Sequence, residues 1–162
     1  MTDFNIFNKA SLLRCNLDGT SCTQADISAG EANGSGGSPS LALDLVNNKV
    51  LVVTANQSFL PELFRCDLDG TGCSHVDVSA DEDAIATEPS LVVDEAHGTL
   101  SVVVDTGALY RCDGDGTACS FADISDGHSG NAPSAVIDTA HGALRAVANV
   151  AGLPGLYSAC LE

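Results

Sequence analysis

One ten-residue motif occurs three times along the chain, and this repetition limits the fold more than any other feature. Leu13-Arg14-Cys15-Asn16-Leu17-Asp18-Gly19-Thr20-Ser21-Cys22 returns as Phe64-Arg65-Cys66-Asp67-Leu68-Asp69-Gly70-Thr71-Gly72-Cys73, and again as Tyr110-Arg111-Cys112-Asp113-Gly114-Asp115-Gly116-Thr117-Ala118-Cys119. An Asp-Ile-Ser or Asp-Val-Ser triplet follows each copy, at Asp26-Ile27-Ser28, Asp77-Val78-Ser79 and Asp123-Ile124-Ser125. A loop rich in Gly, Ser and Ala comes next. A Pro-Ser dipeptide then opens an apolar run at Pro39-Ser40-Leu41, Pro89-Ser90-Leu91 and Pro133-Ser134-Ala135. The spacing is 51 residues from Cys15 to Cys66 and 46 from Cys66 to Cys112. A unit of this length cannot bury its apolar face alone, so neighbouring units must stack. With 162 residues in all, the array is expected to be a single domain over 1–162.

Each unit reads as four short strands. Residues 41–44 and 50–54 flank Asn47-Asn48, residues 91–94 and 100–104 flank His97-Gly98, and residues 135–138 and 143–148 flank His141-Gly142. Asn-Asn and His-Gly suit the positive φ of a tight hairpin. The third strand closes on Arg-Cys, and Asp-Gly turns the chain into the fourth. The runs are rich in Val, Leu and Ile, too short for helices, and show no 3.6-residue period. The expectation is an all-β protein, a β-propeller-like array of three four-stranded repeats.

The repeat resembles the blades of the YWTD and NHL propellers, which include the six-bladed modules of low-density-lipoprotein receptors. The resemblance rests on Pro-x-Leu-x-x-Asp, then a hairpin and a Val-rich strand, then a strand closed by Leu-Asp-Gly-Thr. Val102-Val103-Val104-Asp105 stands where that family has Tyr-Trp-Thr-Asp, without the Tyr-Trp pair, and copies one and three end in Thr54 and Ala148. The likeness covers residues 10 to 158. It implies a fold and no ligand.

The strand count gives third and fourth strands at 10–27, two full units at 39–78 and 89–124, and first to third strands at 134–160. Three blades do not close a ring. The sequence therefore predicts half of a six-bladed ring, with a second copy completing it. The alternative is a three-fold β-trefoil or β-prism, which closes as a monomer; the Gln-x-Trp signature of trefoil lectins is absent.

Six of the seven cysteines form three C-x6-C pairs, which predicts the disulfides Cys15–Cys22, Cys66–Cys73 and Cys112–Cys119. This spacing does not suit zinc, which takes closely spaced cysteine or histidine pairs. A two-residue Asp-Gly turn or a four-residue loop sets each pair directly opposite. A three-residue loop with a Gly bulge would offset the two cysteines by one. Disulfides imply an oxidising compartment, so the expected location is extracellular or cell-surface. Met1-Thr2-Asp3-Phe4 has neither a basic nor a long apolar stretch, so no signal peptide is expected in this chain, which reads as a mature form or a piece of a longer protein. The sequons Asn33-Gly34-Ser35 and Asn56-Gln57-Ser58 read as chance matches in Asn/Ser/Gly-rich loops. Aligning Leu153–Ala159 with Leu60–Cys66 puts Ala159 in the paired cysteine's place. Cys160 falls one residue out of register and is expected at a junction with another subunit.

Acids outnumber bases 22 to 6, giving a net charge of −16. That balance excludes a nucleic-acid-binding surface and disfavours anionic membranes. No apolar run is long enough to span a bilayer. Added salt should stabilise the compact state by screening its self-repulsion. The Asp-Gly loops tempt towards calcium, but Gly falls at the fourth position rather than the sixth and no Glu follows at the twelfth, so they read as turns with no metal. Asp44, Asp94 and Asp138 each close a presumed inner strand and read as anchors for turn amides. Gly127-His128-Ser129-Gly130-Asn131 fails as a nucleophile elbow because Asn131 replaces the required Gly. No Ser–His–acid or Cys–His set is defensible, so neither catalysis nor a cofactor is expected. Arg14, Arg65 and Arg111 are read as internal partners of repeated aspartates.

These readings converge on a secreted or surface-exposed, disulfide-stapled, non-enzymatic binding and assembly module. Its expected partners are further copies of itself and a protein or glycan ligand. The alternative is a small lectin-like domain with one shallow site per repeat, against which the absence of Trp and the presence of only two Tyr count.

Overall fold

The computed structural model describes residues 10–29, 37–80, 82, 86–126, 128, 130–150 and 153–160. The sequon at Asn33, and Gly127 and Ser129 of the elbow-like loop, lie outside them. Every regular element among the described residues is a strand: β1 (Ser11–Arg14), β2 (Thr23–Asp26), β3 (Gly37–Asp44), β4 (Lys49–Ala55), β5 (Pro61–Asp67), β6 (Ser74–Asp77), β7 (Ser90–Asp94), β8 (Thr99–Val103), β9 (Ala108–Asp113), β10 (Ser120–Asp123), β11 (Asn131–Asp138), β12 (Ala143–Val150) and β13 (Leu153–Cys160). They form four open antiparallel sheets: I (β1-β2), II (β3-β4-β5-β6), III (β7-β8-β9-β10) and IV (β11-β12-β13). Neighbours in sequence are neighbours in each sheet, which is the meander that short loops produce.

Two loop types differ from the tight turns that the sequence suggests. The hairpin after β3 has four loop residues, because Asp44 pairs with Lys49, and only Asn48 takes a positive φ, 54°. Asp94 with Thr99 and Asp138 with Ala143 repeat this register, with Gly98 and Gly142 in the left-handed place. The buried Asp44 carboxylate closes the wider loop, accepting bonds from the Asn47 backbone N–H at 3.0 Å and from Asn47 Nδ2 at 2.7 Å.

The cysteine hairpins are built on a three-residue loop after all. Gly70 N–H donates to Asp67 O at 2.8 Å and Asp67 N–H donates to Thr71 O at 2.8 Å, with Gly70 at φ 84°. That geometry alone would offset the cysteines. A second left-handed residue, Gly72 at φ 58°, inserts one more position and restores the register, so Arg65 pairs with Ser74 and Cys66 faces Cys73. Ser21 and Ala118 do the same in the other copies. All three disulfides are formed, Cys15–Cys22, Cys66–Cys73 and Cys112–Cys119, with Cα atoms 4.0 to 4.1 Å apart. They place the chain in an oxidising environment.

Side chains alternate between the two faces of a strand, and here each face packs on a different sheet. Val50 and Val52 of β4 point towards sheet I, where they meet Ile27 and the previous-facing Phe64 and Cys66 of β5. Leu51 and Val53 point the other way and join Leu91, Leu100, Val102 and Tyr110 of sheet III. Val103 and Leu109 of sheet III in turn meet Ala135, Leu144, Ala146 and Tyr157 of sheet IV. The protein is thus a series of four sheets stacked face to face, with three cores between them.

Candidate functional site

Equivalent positions along the stack show which surfaces are left uncovered. The residue two before the first cysteine of each motif faces the preceding sheet. Phe64 and Tyr110 are fully buried there, whereas Leu13 of sheet I, before which no sheet stands among the described residues, is 65% exposed. The residue before that one faces the following sheet. Leu63 and Leu109 are buried, whereas Leu156 of sheet IV, after which no sheet follows among the described residues, is 67% exposed. The same holds nearer the inner edge. Leu91 and Ala135 are buried against the preceding sheet, but their equivalent Leu41 is 52% exposed: among the described residues, sheet I has two strands and no first strand precedes β3. Val136 and Val147, on the face of sheet IV turned away from sheet III, are exposed.

The turn glycines report the same asymmetry. A Cβ on Gly70 would come 2.8 Å from the Ala25 Cβ of sheet I, and one on Gly116 would come 2.6 Å from Val76 Cγ1 of sheet II. The second and third Asp-Gly turns therefore press their backbones onto the sheet before them. Gly19, in the first turn, meets nothing within 4 Å.

The inner strands are joined in a further way that sequence reasoning missed. Leu91 N–H donates to Ser40 Oγ at 3.0 Å, and Ala135 N–H donates to Ser90 Oγ at 3.0 Å. The serines of the first two Pro-Ser dipeptides, Ser40 and Ser90, thus reach across to the next sheet. The dipeptide's recurrence in all three copies is the signal that the sequence carries. Between β3, β7 and β11 runs a groove of about 620 Å³ lined by Leu43, Val93, Ile137, Asp94 and Thr139.

The aspartates of the repeated turns serve those turns locally. Asp69 Oδ1 accepts from the Thr71 hydroxyl at 2.6 Å and the Thr71 N–H at 2.9 Å, and Asp18 and Asp115 repeat this with Thr20 and Thr117. The threonine hydroxyl, then its N–H, hold all three carboxyls below the ordinary 3.8. A smaller contribution to Asp69 comes from the Arg14 charge and to Asp115 from Arg65, so these arginines act on the turn of the following sheet. Burial pushes the Asp94 carboxyl up, but hydrogen bonds from the His97 side chain at 2.7 Å and from the Ala96 and His97 N–H groups outweigh it and hold it low. Asp138 is held low by His141 and by Arg145, whose Nε donates to it at 2.9 Å. The three inner-strand aspartates each belong to their own hairpin. Among the described residues, no three His, Cys, Asp or Glu side chains are grouped as a metal site would need.

Ala159 lies opposite Leu144, as Cys66 lies opposite Val50 and Cys112 opposite Leu100, so it occupies the paired cysteine's place. Cys160 is a free, exposed thiol opposite Ala143. Tyr110 and Tyr157, the two tyrosines, are buried between sheets rather than offered on the surface. No family model matches the chain, and no curated protein matches it.

Proposed function

We propose that this protein is a secreted or cell-surface binding and assembly module without enzymatic activity, built as a propeller-like run of blades. Its working surfaces are the two uncovered faces of the stack. The observation that carries this reading is the exposure of Leu13, Leu41, Val136 and Leu156 at positions that are buried, or packed against a core, wherever a neighbouring sheet exists. Soluble chains rarely leave contiguous apolar faces open unless something covers them. The propeller reading is supported by the four-strand meander of sheets II and III and by the serine bridges that set β3, β7 and β11 side by side. The lectin alternative is weakened by the burial of both tyrosines, since sugar sites favour exposed aromatic faces.

The test is the molar mass of the oxidised protein by light scattering over a concentration series. Assembly predicts a mass above the 16.4 kDa of one chain, falling towards it on dilution. A mass of one chain at all concentrations overturns the assembly reading.

A further inference from the structure

The uncovered faces are complementary to each other, and the repeat itself specifies how they meet. Inside the chain, the two junctions that bring first strands together, II–III and III–IV, use the same elements at the inner edge. The serine of one first strand accepts a hydrogen bond from the backbone of the next: Ser40 from Leu91, and Ser90 from Ala135. The next-facing side chains of one sheet pack on the previous-facing ones of its neighbour, as Ala42 and Val53 do in the core with Leu91 and Val93. Advance the series by one step and Ser134, exposed at the start of sheet IV, needs the residue equivalent to Leu91 and Ala135. That residue is Leu41, at the open edge of β3. By the same step, Val136 and Val147 are the next-facing pair, and Leu41 and Leu43 are the previous-facing pair. All four are exposed apolar residues in the single chain, between 45% and 59%.

We infer that β11 and β12 of one copy seat beside β3 of a second copy, head to tail, in the place beside β3 that sheet I does not fill among the described residues. Val136 and Val147 of one copy pack on Leu41 and Leu43 of the other, and Ser134 Oγ accepts from Leu41 N–H across the junction. This inference rests on the assembly reading and names the partner: a second copy of this chain. The occupant is identified by continuity, because the junction repeats two interfaces already present within the chain. The contact is heterologous, one face meeting the other, and such contacts close into rings or extend as open chains. Two half-arrays that join at both ends would build a six-unit ring. β1 and the partner's β13 both carry third-strand sequence, so one of them moves outward at the junction; the inner contact is the same in either case. Cys160, at the end of β13, then lies near the outer part of that junction.

Two complementary variants test the inference. Leu41→Asp spoils one face and Val136→Asp spoils the other, each at an exposed position where a carboxylate leaves the single chain folded. Each alone is expected to show the mass of one chain at concentrations where the unaltered protein is a dimer. An equimolar mixture is expected to recover a one-to-one dimer, because one sound junction remains. The pair Leu43→Asp and Val147→Asp should behave in the same way, and circular dichroism establishes that all four variants keep their strands. A face that meets its own counterpart would leave one variant of each pair dimeric and give no recovery on mixing; that result overturns the head-to-tail contact while leaving the assembly reading intact. An unaltered protein of one-chain mass removes the assembly reading itself.

Discussion

Leu63 and Leu156 occupy the same place in two copies of one motif, and so do Phe64 and Leu13. In the middle of the stack these residues are fully buried, and at its ends they are two-thirds exposed. The strands are alike, so the difference comes from neighbours. A face in this fold is made apolar by its repeat pattern and becomes core only when another sheet arrives. On the proposed assembly the ends are unfinished interfaces, which would distinguish them from a solvated edge trimmed with charge.

The largest contrast should appear on truncating these pairs. Phe64→Ala or Leu63→Ala should cost about 2–5 kcal/mol in urea unfolding, since each leaves a cavity between packed sheets. Leu13→Ala and Leu156→Ala, measured on dilute single chains, should stay within about 0.5 kcal/mol. Comparable losses at both ends and middle would dissolve the comparison.

The turn glycines offer a smaller contrast of the same kind. Gly116→Ala meets two penalties: a left-handed φ of 86°, and a Cβ pressed 2.6 Å from Val76 Cγ1 and 2.7 Å from Leu63 Cδ2. Those sum to about 2–5 kcal/mol from backbone strain and overpacking. Gly19→Ala, at φ 77° with open space around it, should lose only the strain, about 1–2 kcal/mol. Equal costs at Gly19 and Gly116 would mean that the turn does not press on the preceding sheet.

The acid response should be smallest and nearly uniform. Asp18, Asp69 and Asp115 are all held below 3.8 by their own threonines. A carboxyl lowered on folding contributes stability that is present above its unfolded value and lost as pH falls through the folded one. Stability should therefore decline below about pH 4, the ordinary carboxylate range. Thr20→Val and Thr117→Val should each flatten that decline slightly and to a similar degree, because these caps are local. A much larger effect at Thr117 than at Thr20 would tie the caps to sheet stacking instead.

Much of this architecture could be read from residues alone. The periodic Arg-Cys, Asp-Gly-Thr and Pro-Ser signals located the strands, because turn chemistry and cysteine spacing are local properties that survive in sequence. The disulfide partners followed for the same reason. The loop geometry did not: each turn is a three-residue loop, and the cysteines face each other only because Gly72, Ser21 and Ala118, one in each copy, take a left-handed φ, which Ser and Ala do not announce. The serine bridges were also hidden, since Ser40 and Leu91 are 51 residues apart and meet only once two sheets stack. Exposure was the least legible property, because Leu13 and Phe64 look equally suited to a core.

The most direct test of the account is amide hydrogen exchange at Leu41, followed residue by residue at low and high protein concentration. If the ends are interfaces awaiting a second copy, the Leu41 N–H should exchange quickly in dilute samples and slow sharply as the chain assembles. The Leu63 and Phe64 amides should be slow throughout. Rapid exchange at Leu41 in a fully assembled sample would show that β3 stays open, and would contradict the claim that one copy finishes the other.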